Sequence, residues 1–163
     1  MTSIERSARI LLAVHVAVYL AFGLVFIIAP SWAARSLGIE LANTTALADL
    51  RAIYGGLPLG VGACLAAGLK DRRWLLPTVV LAGVCSLEVA LARAYSWVMS
   101  GHPGTTIVVF MALELAGVWW ALSVYRGLRR AEGRAQGTVR TELRTDHSPT
   151  AEIGGRDSRA ISA

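Results

Sequence analysis

Four long apolar stretches alternate with short polar segments along the chain. A bilayer core of about 30 Å requires about 20 apolar residues in an α-helix, and each stretch meets that length. The stretches are Ile10 to Ala29, Leu50 to Leu69, Trp74 to Val98, and Thr105 to Tyr125. Soluble helices rarely stay apolar on every side over such a length. The pattern therefore predicts an all-α integral membrane protein, a four-helix bundle that crosses the cell membrane four times.

The first apolar stretch has one competing interpretation, a cleavable signal peptide, because Arg6 and Arg9 precede it. The apolar region of a signal peptide usually has about 7 to 15 residues, and this stretch is longer. Its end, Ile28-Ala29-Pro30-Ser31, is also a poor match to the small-residue pattern of a cleavage site. We therefore expect the first stretch to remain as a membrane helix.

The positively charged residues in the short segments fall on one side of the predicted bundle. They are Arg6 and Arg9 before the first helix, Lys70, Arg72 and Arg73 in the turn between helices two and three, and Arg126, Arg129, Arg130 and Arg134 after helix four. On the opposite side, the first loop has Arg35 and the segment 99–104 has no lysine or arginine. Because short cytoplasmic segments are enriched in these residues, we predict that both termini are cytoplasmic.

The composition separates a membrane domain from a charged tail. Hydrophobic residues make up 55% of the chain and charged residues only 17%, which excludes a disordered chain, a coiled coil and an ordinary nucleic-acid-binding domain. Half of the 16 lysines and arginines nevertheless lie after Tyr125, where large apolar residues are almost absent. We predict a transmembrane domain at residues 1–130 and a disordered, charged tail at 131–163, structureless from about Ala135 onward.

The cysteines and the intramembrane histidine give little indication of a metal or cofactor site. Cys64 and Cys85 lie inside apolar runs, without metal-binding spacing, and are typical of small core residues. His15 belongs to an aromatic stripe that is more typical of helix packing than of a haem or quinone site. The chain has no second intramembrane histidine for bis-imidazole ligation. We therefore expect no metal and no cofactor.

Polar residues inside the predicted spans are the main candidates for function. Counting the helical rise puts Arg51, Tyr54, Glu88, Arg93 and Glu114 in the outer half of the bundle or near its midplane. A charged side chain that faces lipid is unfavourable by a few kcal/mol, so each should face the interior and find a partner. One interpretation is purely structural: ion pairs among these residues, such as Arg51 with Glu114, hold helices two, three and four together.

The other interpretation is a pocket that opens outward and binds a ligand. Arg51, Tyr54 and Pro58 share one face of helix two, whereas Arg93 lies about 140° around helix three from Glu88. Arg93 should therefore pair across helices or extend to the headgroups. In one interpretation Gly56 and Gly60 pack closely on another helix, and in the other Pro58 bends helix two and makes space for a ligand beside Tyr54. The predicted ligand-binding residues are Arg51, Tyr54, Pro58, Glu88, Arg93 and Glu114, and the candidate acids or bases are Glu88 and Glu114.

The segment from Asp49 to Gly60, which contains Arg-x-x-Tyr-Gly-Gly, carries a family resemblance together with Arg93, Gly101-His102-Pro103 and Glu114. The chain resembles, over about residues 8 to 125, a bacterial family of small four-helix membrane proteins classed only as a domain of unknown function. This resemblance implies a four-span protein of the bacterial inner membrane and supplies no reaction. The architecture is also distantly similar to that of DoxX-type membrane proteins, some of which are linked to quinone chemistry.

Three classes of function remain open at this stage. The first is a non-enzymatic accessory or lipophilic-ligand-binding module, whose partners are the bilayer, a lipophilic small molecule, and another membrane protein or a second copy of the chain. The second is a membrane enzyme, such as an isomerase, a cyclase or a quinone-linked enzyme, with Glu88 or Glu114 as general acid or base. The third is a transporter, which would require dimerisation to form a path. We expect no nucleic-acid partner.

Overall fold

The first span is one uninterrupted helix with a well-formed start. A computed structural model describes residues 2–101 and 104–146, and its first helix, α1, is Ser3–Ile28. The Thr2 hydroxyl accepts a hydrogen bond from the Glu5 N–H at 3.3 Å, and the Glu5 carboxylate accepts one from the Thr2 N–H at 3.1 Å. This capping box satisfies backbone donors that the first turn leaves free. The helix therefore begins well before the apolar stretch that predicts it.

Two short helices connect α1 to the second span. Helix α2, Pro30–Ser36, starts with Pro30 directly after α1, where a missing N–H has no cost. Gly38, with a φ of 73°, follows α2 in a backbone conformation that favours glycine. Helix α3, Thr44–Leu50, is capped by Asn43, whose side-chain oxygen accepts a hydrogen bond from the Ala46 N–H at 2.9 Å.

The second span contains a π-helical turn between two α-helical parts. Helix α3 leads into the π-helical segment Arg51–Gly56 and then into α4, Leu57–Lys70. Within this turn the Leu57 N–H donates to the carbonyl of Ala52, five residues earlier. Pro58 has no N–H with which to bond the Tyr54 carbonyl in a regular α-helix, so the proline explains why the hydrogen-bond pattern changes just before it.

The third and fourth spans are long helices. A 3-10 turn at Arg72–Trp74, capped by Asp71, leads into α5, Leu75–Ser100. The last helix is α6, Thr105–Asp146. Four helical segments are long and apolar enough to cross a membrane: Ser3–Ile28, Thr44–Lys70, Arg72–Ser100 and Thr105–Arg134. The described residues contain no strand, and the prediction of an all-α fold with four membrane-length helices is confirmed.

The core between the helices lies mainly at the end of the bundle where α1 begins, which we call the basic end. Its buried residues include Leu11 and Leu12 of α1, Leu65 of α4 and Val79 of α5. Gly68 allows α4 to approach α5 closely, because a Cβ there would overlap the side chains of Thr78 and Leu12. Many large apolar side chains remain exposed along the spans, for example Val18 and Leu113 at 61% and 63%. Such surfaces are expected of helices that face lipid tails.

Helix α6 differs from its predicted extent. The described chain divides into two compact units, one that ends at Leu128 and one that begins at Arg129. The predicted loss of structure from about Ala135 is not confirmed, because α6 remains helical to Asp146. In the second unit, Arg129 and Glu132 form an ion pair at 3.9 Å, and pairs at this spacing stabilise a helix. The predicted tail beyond residue 146 lies outside the described residues.

Candidate functional site

Two charged residues inside the spans pair across helices. Nη2 of Arg93, on α5, lies 3.3 Å from Oε1 of Glu114, on α6. The two side chains are 29% and 19% exposed, so the pair is only partly buried, and the prediction of buried ion pairs is not confirmed. The Arg93 guanidinium also lies over the Phe110 ring, 5.2 Å from its centroid. This arrangement agrees with the prediction that Arg93 pairs across helices, and Glu114 is its partner.

The ion pair leaves two polar atoms unsatisfied. Nη1 of Arg93 and Oε2 of Glu114 are both shielded from solvent and have no hydrogen-bond partner among the described residues. One is a donor and the other an acceptor, and leaving such groups without a partner is unfavourable by about 1 to 3 kcal/mol each. The helical rise puts Arg93 about 10 Å from the end of α5 at Ser100 and Glu114 about 14 Å from the start of α6 at Thr105. The unsatisfied atoms therefore lie in the half of the bundle opposite the basic end.

A second polar contact joins α1 to α5. Nδ1 of His15 lies 2.9 Å from the Leu11 carbonyl, which only accepts, so Nδ1 carries the hydrogen. Nε2 is then an acceptor, and it lies 3.2 Å from the Ser86 hydroxyl, which donates to it. Gly117 of α6 lies beside both side chains. The sequence indicated packing for His15 and gave no sign of Ser86, because the two residues are 71 positions apart and no motif connects them.

Tyr19 lies one helical turn after His15 on α1. Its side chain interacts with that of Cys85, and the carboxylates of Glu88 and Glu114 both lie within electrostatic range of its hydroxyl. In the sequence, Tyr19 belongs with His15, Phe22 and Phe26 to the aromatic stripe of helix one, for which packing is the more typical role. The structure thus brings Cys85 of α5 and the carboxylates of Glu88 and Glu114 to the side of α1 that carries Tyr19.

The other predicted site residues are not part of the Arg93–Glu114 ion pair. Arg51 and Glu88 are exposed on the surface of the bundle, and neither forms an ion pair with any residue that the structure describes. The predicted pair of Arg51 with Glu114 is therefore wrong, because Glu114 pairs with Arg93 instead. Tyr54 is 38% exposed and stacks at 5.3 Å against Phe26. The predicted gathering of both arginines, both glutamates and Tyr54 does not form.

Pro58 and the motif around it occupy the π-helical turn and the first turn of α4. Gly55 packs closely on α1, because a Cβ there would overlap the Ile27 side chain. Gly55 is therefore used for close packing. The predicted close packing of Gly56 and Gly60 on another helix is not confirmed, because a Cβ at Gly60 would have nothing within 4 Å and one at Gly56 would approach only the Arg51 carbonyl of its own segment. His102 and Pro103, which also belong to the family resemblance, lie outside the described residues.

The basic end holds its segments together through the charged residues. The Arg9 guanidinium donates a hydrogen bond to the Leu69 carbonyl, and Arg72 pairs with Glu5 at 2.6 Å. The Trp120 indole N–H donates to the Ser7 hydroxyl at 3.0 Å. These contacts join the start of α1 to the end of α4, the following turn and α6. The segment at the start of α1 and the turn between α4 and α5, two places where the sequence concentrates lysine and arginine, therefore lie together.

Among residues 2–101 and 104–146, no group of three histidine, cysteine, aspartate or glutamate side chains is arranged to hold a metal ion. A family model matches residues 7–125 of the chain, and its description is "Domain of unknown function (DUF4345)". No curated protein and no solved structure shows significant similarity to the chain. The arrangement around Arg93 and Glu114 is therefore the basis for any functional conclusion.

Proposed function

Since the chain belongs to the DUF4345 family, a domain of unknown function, we propose a role from its own residues. We propose that it is a multi-pass protein of the bacterial inner membrane and that it binds the polar end of a lipophilic small molecule. Both termini lie in the cytoplasm in this proposal. The concentration of Arg6, Arg9, Lys70, Arg72 and Arg73 at the basic end supports this orientation. The ligand site then lies in the outer half of the bilayer.

The unsatisfied atoms of the ion pair carry the proposal. Nη1 of Arg93 needs an acceptor and Oε2 of Glu114 needs a donor, and both are shielded from solvent. Charge-assisted hydrogen bonds to these atoms would be stronger than bonds between neutral groups. A ligand group that both accepts and donates a hydrogen bond, such as a carboxylic acid, a primary amide or an alcohol, satisfies both. Its hydrocarbon part would lie along Phe110, which is 46% exposed.

Mass spectrometry of the purified protein tests this proposal. Lipophilic molecules extracted from the wild type should include one compound that is depleted from Arg93→Gln and from Glu114→Gln. Glu40→Gln is the matched control, because Glu40 is exposed outside the spans and should retain the compound. A wild-type extract that contains only bulk phospholipid, or a compound retained equally by all three variants, would contradict the ligand site.

A membrane enzyme is the second candidate, and the surroundings of Tyr19 favour it. A hydroxyl within electrostatic range of two carboxylates could assist proton transfer to or from a bound substrate, with Glu114 or Glu88 as the acid or base. The extraction experiment also distinguishes the candidates. If the protein only binds the compound, the Glu114→Gln variant should lose it. If the protein is an enzyme and the Glu114→Gln variant still binds, the variant should retain an unconverted substrate that differs chemically from the compound extracted from the wild type.

A further inference from the structure

One face of α4 is lined by small residues that the monomer does not use. Gly56, Gly60 and Cys64 are spaced one turn apart, and all three are exposed. A Cβ on Gly60 would have nothing within 4 Å, and one on Gly56 would approach only the Arg51 carbonyl of its own segment, at 3.9 Å. Gly62, by contrast, packs against Leu20 of α1. In membranes, small residues at this spacing allow two helices to approach closely.

Two exposed charges, one on the second span and one on the third, have no ion-pair partner among the described residues. Arg51 immediately precedes the small-residue face, and Glu88 lies on the neighbouring helix α5, and both are exposed within membrane-length segments. The helical rise gives the distance of each residue from the turn that joins α4 to α5. This distance is about 28 Å for Arg51 along the second span and about 24 Å for Glu88 along α5, so the two residues lie at similar depths. A long arginine side chain can span that difference. An isolated charge of either sign facing lipid is unfavourable, so each requires a partner of opposite charge.

The π-helical turn aligns Arg51 with the small-residue face. In a π-helical turn the backbone hydrogen bonds join residues five apart, so such residues lie closer to one side of the helix than they do in an α-helix. Arg51 and Gly56 are five apart, and the Arg51 carbonyl lies close to Gly56. A regular α-helix would rotate Arg51 away from Gly56. The turn therefore brings the cation and the glycines to one side of the second span.

We infer that a second copy of this chain packs on the face formed by Gly56, Gly60 and Cys64, with Arg51 paired to the partner subunit's Glu88. A twofold interface is self-complementary, so each contact occurs twice. The Arg51 of each copy then pairs with the Glu88 of the other copy, and all four exposed charges have a partner. The opposite charges of Arg51 and Glu88 on adjacent helices favour a second copy over an unrelated protein. This inference goes beyond the proposed ligand site and does not depend on it.

Thiol cross-linking in membranes tests the inference with a cysteine that the chain already has. In a Cys85→Ala background, a short bismaleimide should join two copies through Cys64, and Cys64→Ala should abolish the dimer band. Gly60→Leu adds a side chain into open space in the monomer but should lower the cross-linked fraction about tenfold. Ala17→Leu is the matched control, because Ala17 is an exposed small residue on α1, and it should leave the fraction unchanged.

The charges are tested in the same assay. Arg51→Glu should lower the cross-linked fraction, and adding Glu88→Arg should restore it, because the exchanged charges are again complementary. Native mass spectrometry should show a dimer of about twice 17.3 kDa for the wild type and a monomer for Gly60→Leu. A wild type that is monomeric at 17.3 kDa, a cross-linked fraction that Gly60→Leu leaves intact, or equal loss in Ala17→Leu would overturn the inference.

Discussion

Arg93 contacts both Glu114 and Phe110, residues one helical turn apart on α6: its guanidinium lies 3.3 Å from the Glu114 carboxylate and 5.2 Å from the centre of the Phe110 ring. A single side chain of α5 thus joins a charged and an aromatic residue of α6. Because the pair lies within the spans, removal of either charge leaves the other without a partner in a poorly solvated position.

A double-mutant cycle should detect this coupling. Arg93→Gln and Glu114→Gln should each lower the free energy of unfolding by about 1 to 3 kcal/mol, and the double variant should lose clearly less than the sum. Equilibrium unfolding in detergent micelles provides the measurement. Arg51→Gln combined with Glu114→Gln is the control and should be additive, since Arg51 does not pair with Glu114. Coupling of Glu114 to Arg51 instead of Arg93 would contradict the structure.

The contact of His15 with Ser86 predicts a smaller effect. Ser86→Ala removes the donor to Nε2 of His15, so the free energy of unfolding should fall by about 1 kcal/mol. Ser96→Ala is a suitable control, because the Ser96 hydroxyl is exposed and bonds only the Ala92 carbonyl of its own helix. Its effect should lie within about 0.5 kcal/mol of zero. Equal effects of the two substitutions would show that the interhelical bond contributes nothing.

The close approach of α4 to α5 predicts that a larger residue at position 68 destabilises the protein. A Cβ at this position would overlap Thr78 and Leu12, so Gly68→Ala should lower the unfolding free energy by about 1 to 3 kcal/mol. Gly117→Ala is the matched control, since the nearest atom to its Cβ would be the Ser86 hydroxyl at an ordinary 3.4 Å. Thermal unfolding of both variants measures the difference, and similar melting temperatures would contradict the described packing.

The spans could be predicted from the sequence because the requirement is simple: a bilayer needs about 20 apolar residues in a row. The ion-pair partner of Glu114 could not be predicted from the sequence, because the choice of partner depends on how three helices are rotated about their axes. Arg51 and Arg93 both lie at suitable depths, and only the rotation selects Arg93. The π-helical turn could not be predicted from the sequence either, although Pro58 indicated a possible bend in the second helix. The contact between His15 and Ser86 had no sequence signal, since residues on different helices meet there without a motif.

The predicted orientation can be tested by reporter fusions. An enzyme that is active only in the periplasm should be inactive when fused after Arg130 and active when fused after Gly101, because lysine and arginine are concentrated on the first of these sides. Reporter activity in cells expressing each fusion at matched levels is the measurement. The opposite pattern would put both termini in the periplasm and the ion pair in the inner half of the bilayer.

The central claim, that Arg93 and Glu114 bind a lipophilic molecule, is tested most directly by photochemical capture at Phe110. Replacing Phe110 with a photo-activatable phenylalanine analogue and irradiating intact membranes should attach a single small molecule to the chain. Intact-mass measurement of the purified protein should show one discrete added mass, and this mass should disappear when Glu114→Gln is also present. An unmodified chain, an added mass that corresponds to bulk phospholipid, or an adduct that Glu114→Gln leaves unchanged would contradict the claim.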